Sequence, residues 1–338
     1  MIPKHNIGNI LDSLKGKRVL VTGDLILDHY LEGKVDRISP EAPVPIVSLE
    51  NRGEKMVPGG AANVARNISS LGGIPLIAGT AGDDSEGKML VELLRNEGIN
   101  TDAVIIEYGR PTTSKTRIIS GGHQLIRLDR ESTKSVSEDV QKRLLSRIEQ
   151  LVGNLDAIVL ADYNKGVLVP GLISGVISVA RREDVPIAVD PKFTNFFEFR
   201  GCTLFKPNRL ETSRALGMEI NSIDDAVKAG NQLLERLSAK SVLITLGEDG
   251  SVLCRKGTEA FYRPTAARHV FDVSGAGDTV IAVMTLSLAA GLSLEDGVRV
   301  SSFAAAATCS EPGVYAVKPS DISKEVERYS QRKSTFEN

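Results

Sequence analysis

The sequence has no tryptophan, and its 338 residues include only three cysteines and four histidines. Cys202, Cys254 and Cys309 form no C-x-x-C pair, which argues against a disulfide framework or a zinc site and favours a reducing, cytoplasmic location. The histidines lie far apart in the sequence, so we expect no direct metal ligands. The net charge of −2 offers no basic surface, so we expect neither a nucleic-acid partner nor a membrane.

Long hydrophobic runs are also lacking. The longest apolar stretch, near residues 280–290, contains Thr285 and Ser287 and is too short to cross a bilayer, so it predicts a buried helix. The composition, 41% hydrophobic and 25% charged, is that of a globular protein with a large core.

Apolar, β-branched runs bounded by turn residues predict strands at residues 18–22, 75–79, 157–161, 186–190, 203–206 and 241–246. Helical patterns lie between them at 62–71, 87–96, 137–152, 171–182, 211–216 and 226–237. Near-continuous apolar strands that alternate with helices are typical of a mainly parallel sheet covered on both faces. We therefore predict an α/β fold, a three-layer α/β/α sandwich, in a single domain spanning residues 1–338.

Two segments interrupt this alternation, at about residues 30–51 and 108–130. The second carries two strand-like runs around Gly121-Gly122, a pattern that predicts a β-hairpin. We expect both segments to form a small antiparallel sheet that projects from the main domain. Such a sheet is either surface decoration or a lid over a substrate.

The strongest local pattern is the run DVSGAGDT at residues 272–279, which follows a strand-like segment at 268–271 and precedes an apolar helix. Small residues at 275–277 let backbone N–H groups approach an anion, and the helix N-terminus adds positive partial charge. Asp278 stands beside this predicted anion hole. A carboxylate there repels a phosphate but is well placed to accept a proton from an attacking hydroxyl. The alternative role for Asp278 is an ordinary helix N-cap.

This run resembles the D-T-x-G-A-G-D signature of the ribokinase-like (PfkB) carbohydrate kinases, with Val273 and Ser274 at its variable places. The resemblance covers about residues 17–318 and implies the ribokinase-like fold, with a sugar and ATP as substrates. It also implies that Asp278 is the catalytic base. The residues that it implies stabilise the transferring phosphoryl group are Gly275, Ala276 and Gly277.

A second set of polar and glycine residues lies in the N-terminal part of the chain. Gly23-Asp24 closes the first predicted strand, and a glycine pair opens the following helix. Such residues either approach a polyhydroxylated ligand closely or form a structural turn. The resemblance implies a sugar-binding role for the residues that match the family motifs: Asp24, Gly59, Gly60 and Asn63.

The segment GDDSEGKM at residues 82–89 fits G-x-x-x-x-G-K, the start of a P-loop. Met89 stands where a P-loop has the serine or threonine that binds magnesium, and three acidic residues lie in the loop. We therefore predict a strand-to-helix turn with an acidic helix start, and no phosphate-binding loop.

Three further segments follow strands of the C-terminal half: DPK at 190–192, KPNRLE at 206–211 and TLGEDG at 245–250. Asn208 and Glu211 lie at a helix start, where they either orient water around Mg²⁺ or cap the helix. Lys192 is either a phosphate ligand or a surface lysine. The resemblance implies that matching motifs bind Mg–ATP, here through Asn208, Glu211, Thr245, Gly247 and Gly250. Residues 310–313 border either the adenine pocket or a site for a monovalent cation such as K⁺, which some family members use.

Three further segments of the sequence resemble one branch of this family. The segments RISPEAPVPI at 37–46, QLIRLD at 124–129 and DYNKG at 162–166 resemble the D-glycero-β-D-manno-heptose-7-phosphate kinases of lipopolysaccharide core synthesis. The branch implies phosphorylation of the anomeric 1-hydroxyl, which gives heptose 1,7-bisphosphate. The alternatives are a kinase of the same fold for another sugar, sugar phosphate or nucleoside, and a non-catalytic sugar- or nucleotide-binding regulator. The intact residues 275–278 argue against the regulator.

Because that substrate carries a phosphate, we expect a cationic group away from the ATP. The candidates are Lys115, Arg117, Arg127 and Lys165, of which Arg127 and Lys165 lie in segments that resemble the branch. Many kinases of this branch are fused to a nucleotidyltransferase with an H-x-G-H motif. With no paired histidines, this chain is expected to perform the kinase step alone. We also expect a homodimer through the lid, since the lid's apolar strand edges would otherwise be exposed.

Overall fold

Two β-sheets organise the chain in the computed structural model, which describes residues 4–267 and 270–336. The strands are β1 (Arg18–Gly23), β2 (Leu25–Ile38), β3 (Pro45–Gly60), β4 (Ile74–Gly82), β5 (Asn100–Glu107), β6 (Thr113–Ser120), β7 (His123–Arg130), β8 (Ala157–Ala161), β9 (Ile187–Asp190), β10 (Leu204–Phe205), β11 (Ser241–Thr245), β12 (Ser251–Arg255) and β13 (Phe261–Arg263). The helices are α1 (Lys4–Ser13), α2 (Ala61–Ser70), α3 (Ser85–Asn96), α4 (Glu138–Leu151), α5 (Pro170–Arg182), α6 (Arg209–Leu216), α7 (Ile223–Leu237), α8 (Ala276–Ala289), α9 (Leu294–Cys309) and α10 (Pro319–Phe336).

The larger sheet has nine strands in the order β13-β12-β11-β10-β9-β8-β1-β4-β5. All its pairings are parallel except the two at one edge, β11–β12 and β12–β13. Its central strands are buried on both faces, since one apolar cluster packs α2, α8 and α9 against one side and a second packs α4, α5 and α7 against the other. The predicted α/β fold with a mainly parallel sheet is confirmed.

The smaller sheet, which we term the lid, has the order β3-β2-β6-β7. Its outer pairings are antiparallel, as predicted, whereas the central pair β2–β6 is parallel. The hairpin turn lies at Gly121 and Gly122, whose φ angles of 58° and 78° suit a residue without a Cβ. The strand β2 begins two residues after β1 ends, and β3 leads directly into α2, so the lid grows from the carboxyl edge of the main sheet.

Other sequence predictions have mixed outcomes. The apolar stretch near 280–290 belongs to the buried helix α8, and no helix in the described ranges is long and apolar enough to span a membrane. Residues 82–89 form the predicted turn, with Asp84 capping α3 through a 2.9 Å bond from the Gly87 N–H. The strand expected at 268–271 is absent at Val270 and Phe271, and residues 268–269 lie outside the described ranges. Short or small-residue elements such as β13 and α9 were not predicted, because their apolar periodicity is weak.

Candidate active site

Residues from distant parts of the sequence meet at the carboxyl ends of the central strands, where ligands bind in open α/β sheets. Asn63 lies in the first turn of α2 and Asp278 in the first turn of α8. The Asn63 Nδ2 donates a 2.8 Å hydrogen bond to Asp278 Oδ2. The two helices are held together nearby by the buried side chain of Asn67, which accepts a 3.2 Å bond from the Thr279 hydroxyl.

Tyr163 supplies the second hydrogen bond to Asp278. Its phenol donates to the other carboxylate oxygen, Oδ1. Sequence reasoning placed Tyr163 in the DYNKG segment but gave it no role. Burial raises the pKa of Asp278 to about 6; the donors Asn63 and Tyr163 and the cation Lys206 oppose this rise, while Asp190 adds to it.

The predicted anion hole lies at the start of α8. Gly275 is the N-cap residue and has a φ of 78°, and no side chain caps the helix. Asp278 is therefore not an N-cap, which removes the alternative role that the sequence left open. The Ala276 N–H donates a 3.2 Å bond to the Val273 carbonyl. The next N–H groups in the first turn of a helix have no intrahelical partner, so that of Gly277 can bind an anion.

A buried ion pair lies beside the glycine run. The Lys206 Nζ is 3.0 Å from Asp190 Oδ1, and the Lys206 side chain is only 3% exposed. A Cβ at Gly277 would be 3.6 Å from that ammonium group and 3.9 Å from Asp190 Oδ2. This lysine thus adds positive charge next to the anion hole. Sequence reasoning missed Lys206, although its place directly after a predicted strand was a usable indication.

Asp24 is not placed as predicted. Its carboxylate is 1% exposed and accepts three backbone N–H groups, from Tyr163 at 2.8 Å, Lys165 at 3.1 Å and Val167 at 3.0 Å. Burial raises the pKa of Asp24, and these three donors oppose the rise. This geometry gives Asp24 a structural role and argues against the sugar-binding role expected for it: the carboxylate orders the loop after β8 through bonds to the main chain.

A different aspartate, Asp28 in β2, lies against the glycines that were predicted to cradle a sugar. Any side chain at Gly59 would collide with its carboxylate, so Gly59 permits this close approach. Asp28 forms an ion pair with Arg117 of β6. Gly60 has a φ of 59° and is the N-cap residue of α2. The predicted Gly59, Gly60 and Asn63 are thus neighbours, with Asp28 where Asp24 was expected.

Three of the four cationic candidates for a second phosphate belong to one ion-pair network, which we term the lid network: Arg127, Asp129, Lys115, Glu131 and Lys165. The fourth candidate, Arg117, pairs with Asp28 instead. In the lid network, Asp129 is 2.8 Å from both Arg127 and Lys115. Glu131 is 3.4 Å from Lys115 and 2.8 Å from Lys165. Lys115 lies on the lid and Lys165 on the loop after β8, so Glu131 sits where the lid meets the main domain.

The predicted nucleotide residues lie on neighbouring strand ends. Asn208 and Glu211 form a capping box, in which each side chain accepts a bond from the other's backbone N–H at 2.8 and 2.9 Å. The second Glu211 oxygen pairs with Lys192. Thr245 bridges to Asn208, and Gly247 and Gly250, with φ of 65° and 89°, shape the loop after β11. Within the described ranges, no group of three or more His, Cys, Asp or Glu side chains could hold a metal ion.

The glycine run is also tied to residues 310–313. Asp272 accepts bonds from the N–H groups of Ser274 at 2.8 Å and Gly313 at 3.0 Å, and these donors hold its pKa below the usual range although partial burial acts in the opposite direction. The segment expected to border adenine or a monovalent cation therefore lies next to the anion hole.

The sequence matches a known family and several curated proteins. Residues 17–321 match the model of the pfkB family of carbohydrate kinases. The chain is 40% identical over 319 residues to the bifunctional protein HldE of Pelobacter propionicus, covering 94% of this chain and 65% of that protein. It is 38% identical to HldE of Campylobacter fetus over 94% of this chain and 68% of that protein. The chain thus spans about two thirds of the length of these curated relatives.

Solved structures show the same fold. Escherichia coli phosphofructokinase-2 in complex with potassium aligns with a TM-score of 0.77 and 24% identity, over 94% of this chain and 99% of that one. Arabidopsis thaliana ribokinase with ribose and ATP aligns with a TM-score of 0.72 and 21% identity, over 92% and 98%. With a family match over residues 17–321 and a relative that is 40% identical over 94% of this chain, the chain belongs to the pfkB family of carbohydrate kinases.

Proposed function

We propose that this sugar kinase phosphorylates the anomeric 1-hydroxyl of D-glycero-β-D-manno-heptose 7-phosphate, giving heptose 1,7-bisphosphate for lipopolysaccharide core synthesis. The observation that carries the proposal is a second cationic site at a distance from the phosphoryl-transfer site. Lys115 and Lys165 converge on the carboxylate of Glu131 at the junction of lid and main domain. Two ammonium groups that share one carboxylate are suited to bind a phosphate monoester in its place, because the phosphate has more negative charge and more acceptor oxygens than the carboxylate.

The body of the sugar would lie between this second site and Asp278. Asp28, Gly59 and Asn63 line that path, and Asp28 is our candidate ligand for sugar hydroxyls. Its pairing with Arg117 fixes the carboxylate while it accepts hydrogen bonds. Arg127 contributes from further out on the lid, since its side chain is 48% exposed.

Asp278 would act as the general base. The 1-hydroxyl attacks the γ-phosphorus in line, its proton passes to a carboxylate oxygen of Asp278, and the bond to the ADP oxygen breaks. The N–H groups of Gly275 and Gly277 and the nearby Lys206 ammonium would stabilise charge on the transferring group. A pKa of about 6 leaves most of Asp278 ionised at neutral pH, as a base requires.

The nucleotide would bind over β9, β10 and β11. A glycine run open to close approach, together with Lys192 and Lys206, fits a triphosphate, and the loop at 245–250 fits the ribose and base. Mg²⁺, when bound with ATP, supplies charge neutralisation on the phosphates. Both oxygens of Glu211 are engaged by Lys192 and the capping box, so Asn208 and Glu211 would reach the ion through water. A K⁺ requirement would arise at residues 310–313, beside Asp272.

A substrate panel tests this function. The purified chain with Mg–ATP should release ADP with heptose 7-phosphate at a kcat/KM at least about 100-fold above that for fructose 6-phosphate, ribose or adenosine. Phosphorus NMR of the product should show a new phosphate on the anomeric carbon. Turnover of another substrate with none of the heptose 7-phosphate would reject the specific reaction and keep the kinase assignment.

We also propose a cytoplasmic homodimer formed through the lid. The strands of the lid carry exposed apolar side chains that a partner subunit would cover. Among them are Ile38, 60% exposed, Leu49, 55% exposed, and Leu128, 54% exposed. Light scattering should give the mass of a dimer for the wild type and for Ile74→Glu, which lies on the main sheet. Leu128→Glu, on the lid, should be monomeric. A monomeric wild-type protein would contradict the proposal.

A further inference from the structure

Tyr163 lies on a loop, but both its backbone and its side chain are fixed by contacts. It follows β8, and its backbone N–H donates a 2.8 Å bond to the buried Asp24. Asp24 binds the N–H groups of Lys165 and Val167 as well, so one buried carboxylate fixes the turn on which Tyr163 stands. The ring packs against the apolar cluster that contains α8 and lies 5.9 Å from the Lys192 ammonium.

The phenol of this fixed side chain meets Asp278. Asn63 occupies one oxygen of that carboxylate and Tyr163 occupies the other. A carboxylate on the first turn of a helix has several rotamers, and two donors from different elements select one of them. Asn63 belongs to α2 and Tyr163 to the loop after β8, so two separate elements each donate a hydrogen bond to Asp278.

We propose that Tyr163 is a positioning residue for Asp278: its phenol holds one carboxylate oxygen and so orients the base, while the sugar hydroxyl bonds to a remaining lone pair of the same carboxylate. This inference rests on the proposed role of Asp278 as the base. The proton of the sugar hydroxyl goes to Asp278, and Tyr163 keeps its own proton throughout. Burial and the adjacent carboxylate hold the pKa of Tyr163 well above its usual range, so the phenol acts only as a donor.

Two consequences follow from removing the phenol. A hydrogen bond donated to the ionised form stabilises it, so its loss raises the pKa of Asp278. Loss of the phenol also leaves one carboxylate oxygen open to water when no sugar is bound. Water activated there could attack ATP, so hydrolysis without sugar should increase relative to transfer.

The experiment compares Tyr163→Phe, which keeps the ring, with Tyr108→Phe, whose side chain is 81% exposed. For Tyr163→Phe we expect kcat to fall about 10- to 100-fold, the loss of one hydrogen bond to a charged group, with the KM for ATP unchanged. The acidic limb of the pH–kcat profile should move up by about one pH unit. ATP hydrolysis without sugar, relative to transfer, should rise. Tyr108→Phe should match the wild type in all these measurements.

A double variant separates positioning from general structural damage. In the Asp278→Asn background, Tyr163→Phe should change the remaining rate by less than about twofold, because the two side chains act as a unit. The inference would be overturned if Tyr163→Phe lowered the rate by the same factor in the wild type and in Asp278→Asn. It would also be overturned if kcat fell while the acidic limb of the pH–kcat profile stayed where it is in the wild type. An active Asp278→Asn enzyme would instead refute the proposed base, whereas an inactive one together with a normal Tyr163→Phe would refute this inference alone.

Discussion

The two ends of the proposed substrate site are built in different ways. At the phosphoryl-transfer end, Asp278, Asn63, Tyr163 and the Lys206–Asp190 pair are largely buried and joined by bonds between distant segments. At the lid end, the network from Arg127 to Lys165 is made of partly exposed ion pairs. The phosphoryl-transfer end is suited to holding a base in one position. The lid end is suited to exchanging a carboxylate partner for the phosphate of a substrate.

The largest expected effect separates the two ends by stability. Lys206→Met would leave Asp190 charged and buried without its partner, so the free energy of unfolding should fall by about 3–5 kcal/mol. The matched change Lys115→Met, which breaks partly exposed pairs, should cost about 0–1 kcal/mol. Urea unfolding of both variants measures this. Similar losses would remove the distinction between the two ends.

The lid end should control recognition of the sugar phosphate. In Lys115→Met/Lys165→Met, the KM for heptose 7-phosphate should rise about 100-fold, because two charge-assisted hydrogen bonds to the phosphate are lost. Steady-state kinetics should show an unchanged KM for ATP. The same sugar without its phosphate should be used equally by the wild type and the variant; an equal loss there would place these lysines outside a phosphate site.

The transfer end should control the pH dependence. The folded-state pKa of Asp278 is raised to about 6, and the base works only when deprotonated. The kcat/KM for the sugar phosphate should therefore be constant above neutral pH and fall about tenfold per pH unit below about pH 6. Phosphate esters also titrate near this pH. The residual activity of Asp278→Asn is the control, since a limb that persists there belongs to the substrates.

The smallest effect is expected at the outer end of the lid network. The Arg127 side chain is 48% exposed, and its partner in the network is Asp129. Arg127→Met should raise the KM for heptose 7-phosphate by less than about threefold, as exposed pairs contribute little. An increase as large as that of the double lysine variant would move the phosphate site outward along the lid.

The same contrast explains what the sequence could predict. The sequence located the helix start that carries the proposed anion hole and base, because a glycine run, a helix start and a carboxylate are local features, contiguous at residues 275–278. The parallel sheet and its helices followed from apolar runs. Asp28 and Lys206 were missed because their importance comes from partners that are distant in the sequence, such as Arg117 and Gly277.

Asp24 shows the opposite case. Its place after β1 at the carboxyl edge of the sheet suggested a ligand-binding residue, yet the loop after β8 folds over it and saturates it with backbone N–H groups. No local pattern reveals that a loop more than a hundred residues away will close over a given carboxylate. The parallel pairing of β2 with β6 was unforeseen for the same reason, since register between distant strands is a tertiary property.

The most direct test of the central claim is a single-turnover measurement on Asp278→Asn with saturating Mg–ATP and heptose 7-phosphate. The substitution keeps the size of the side chain and removes the base, so the rate of phosphoryl transfer should fall by at least about 100-fold. Calorimetry should show both ligands bound with affinities within about threefold of those of the wild type. A rate loss smaller than about 100-fold, with binding intact, would contradict the assignment of Asp278 as the base.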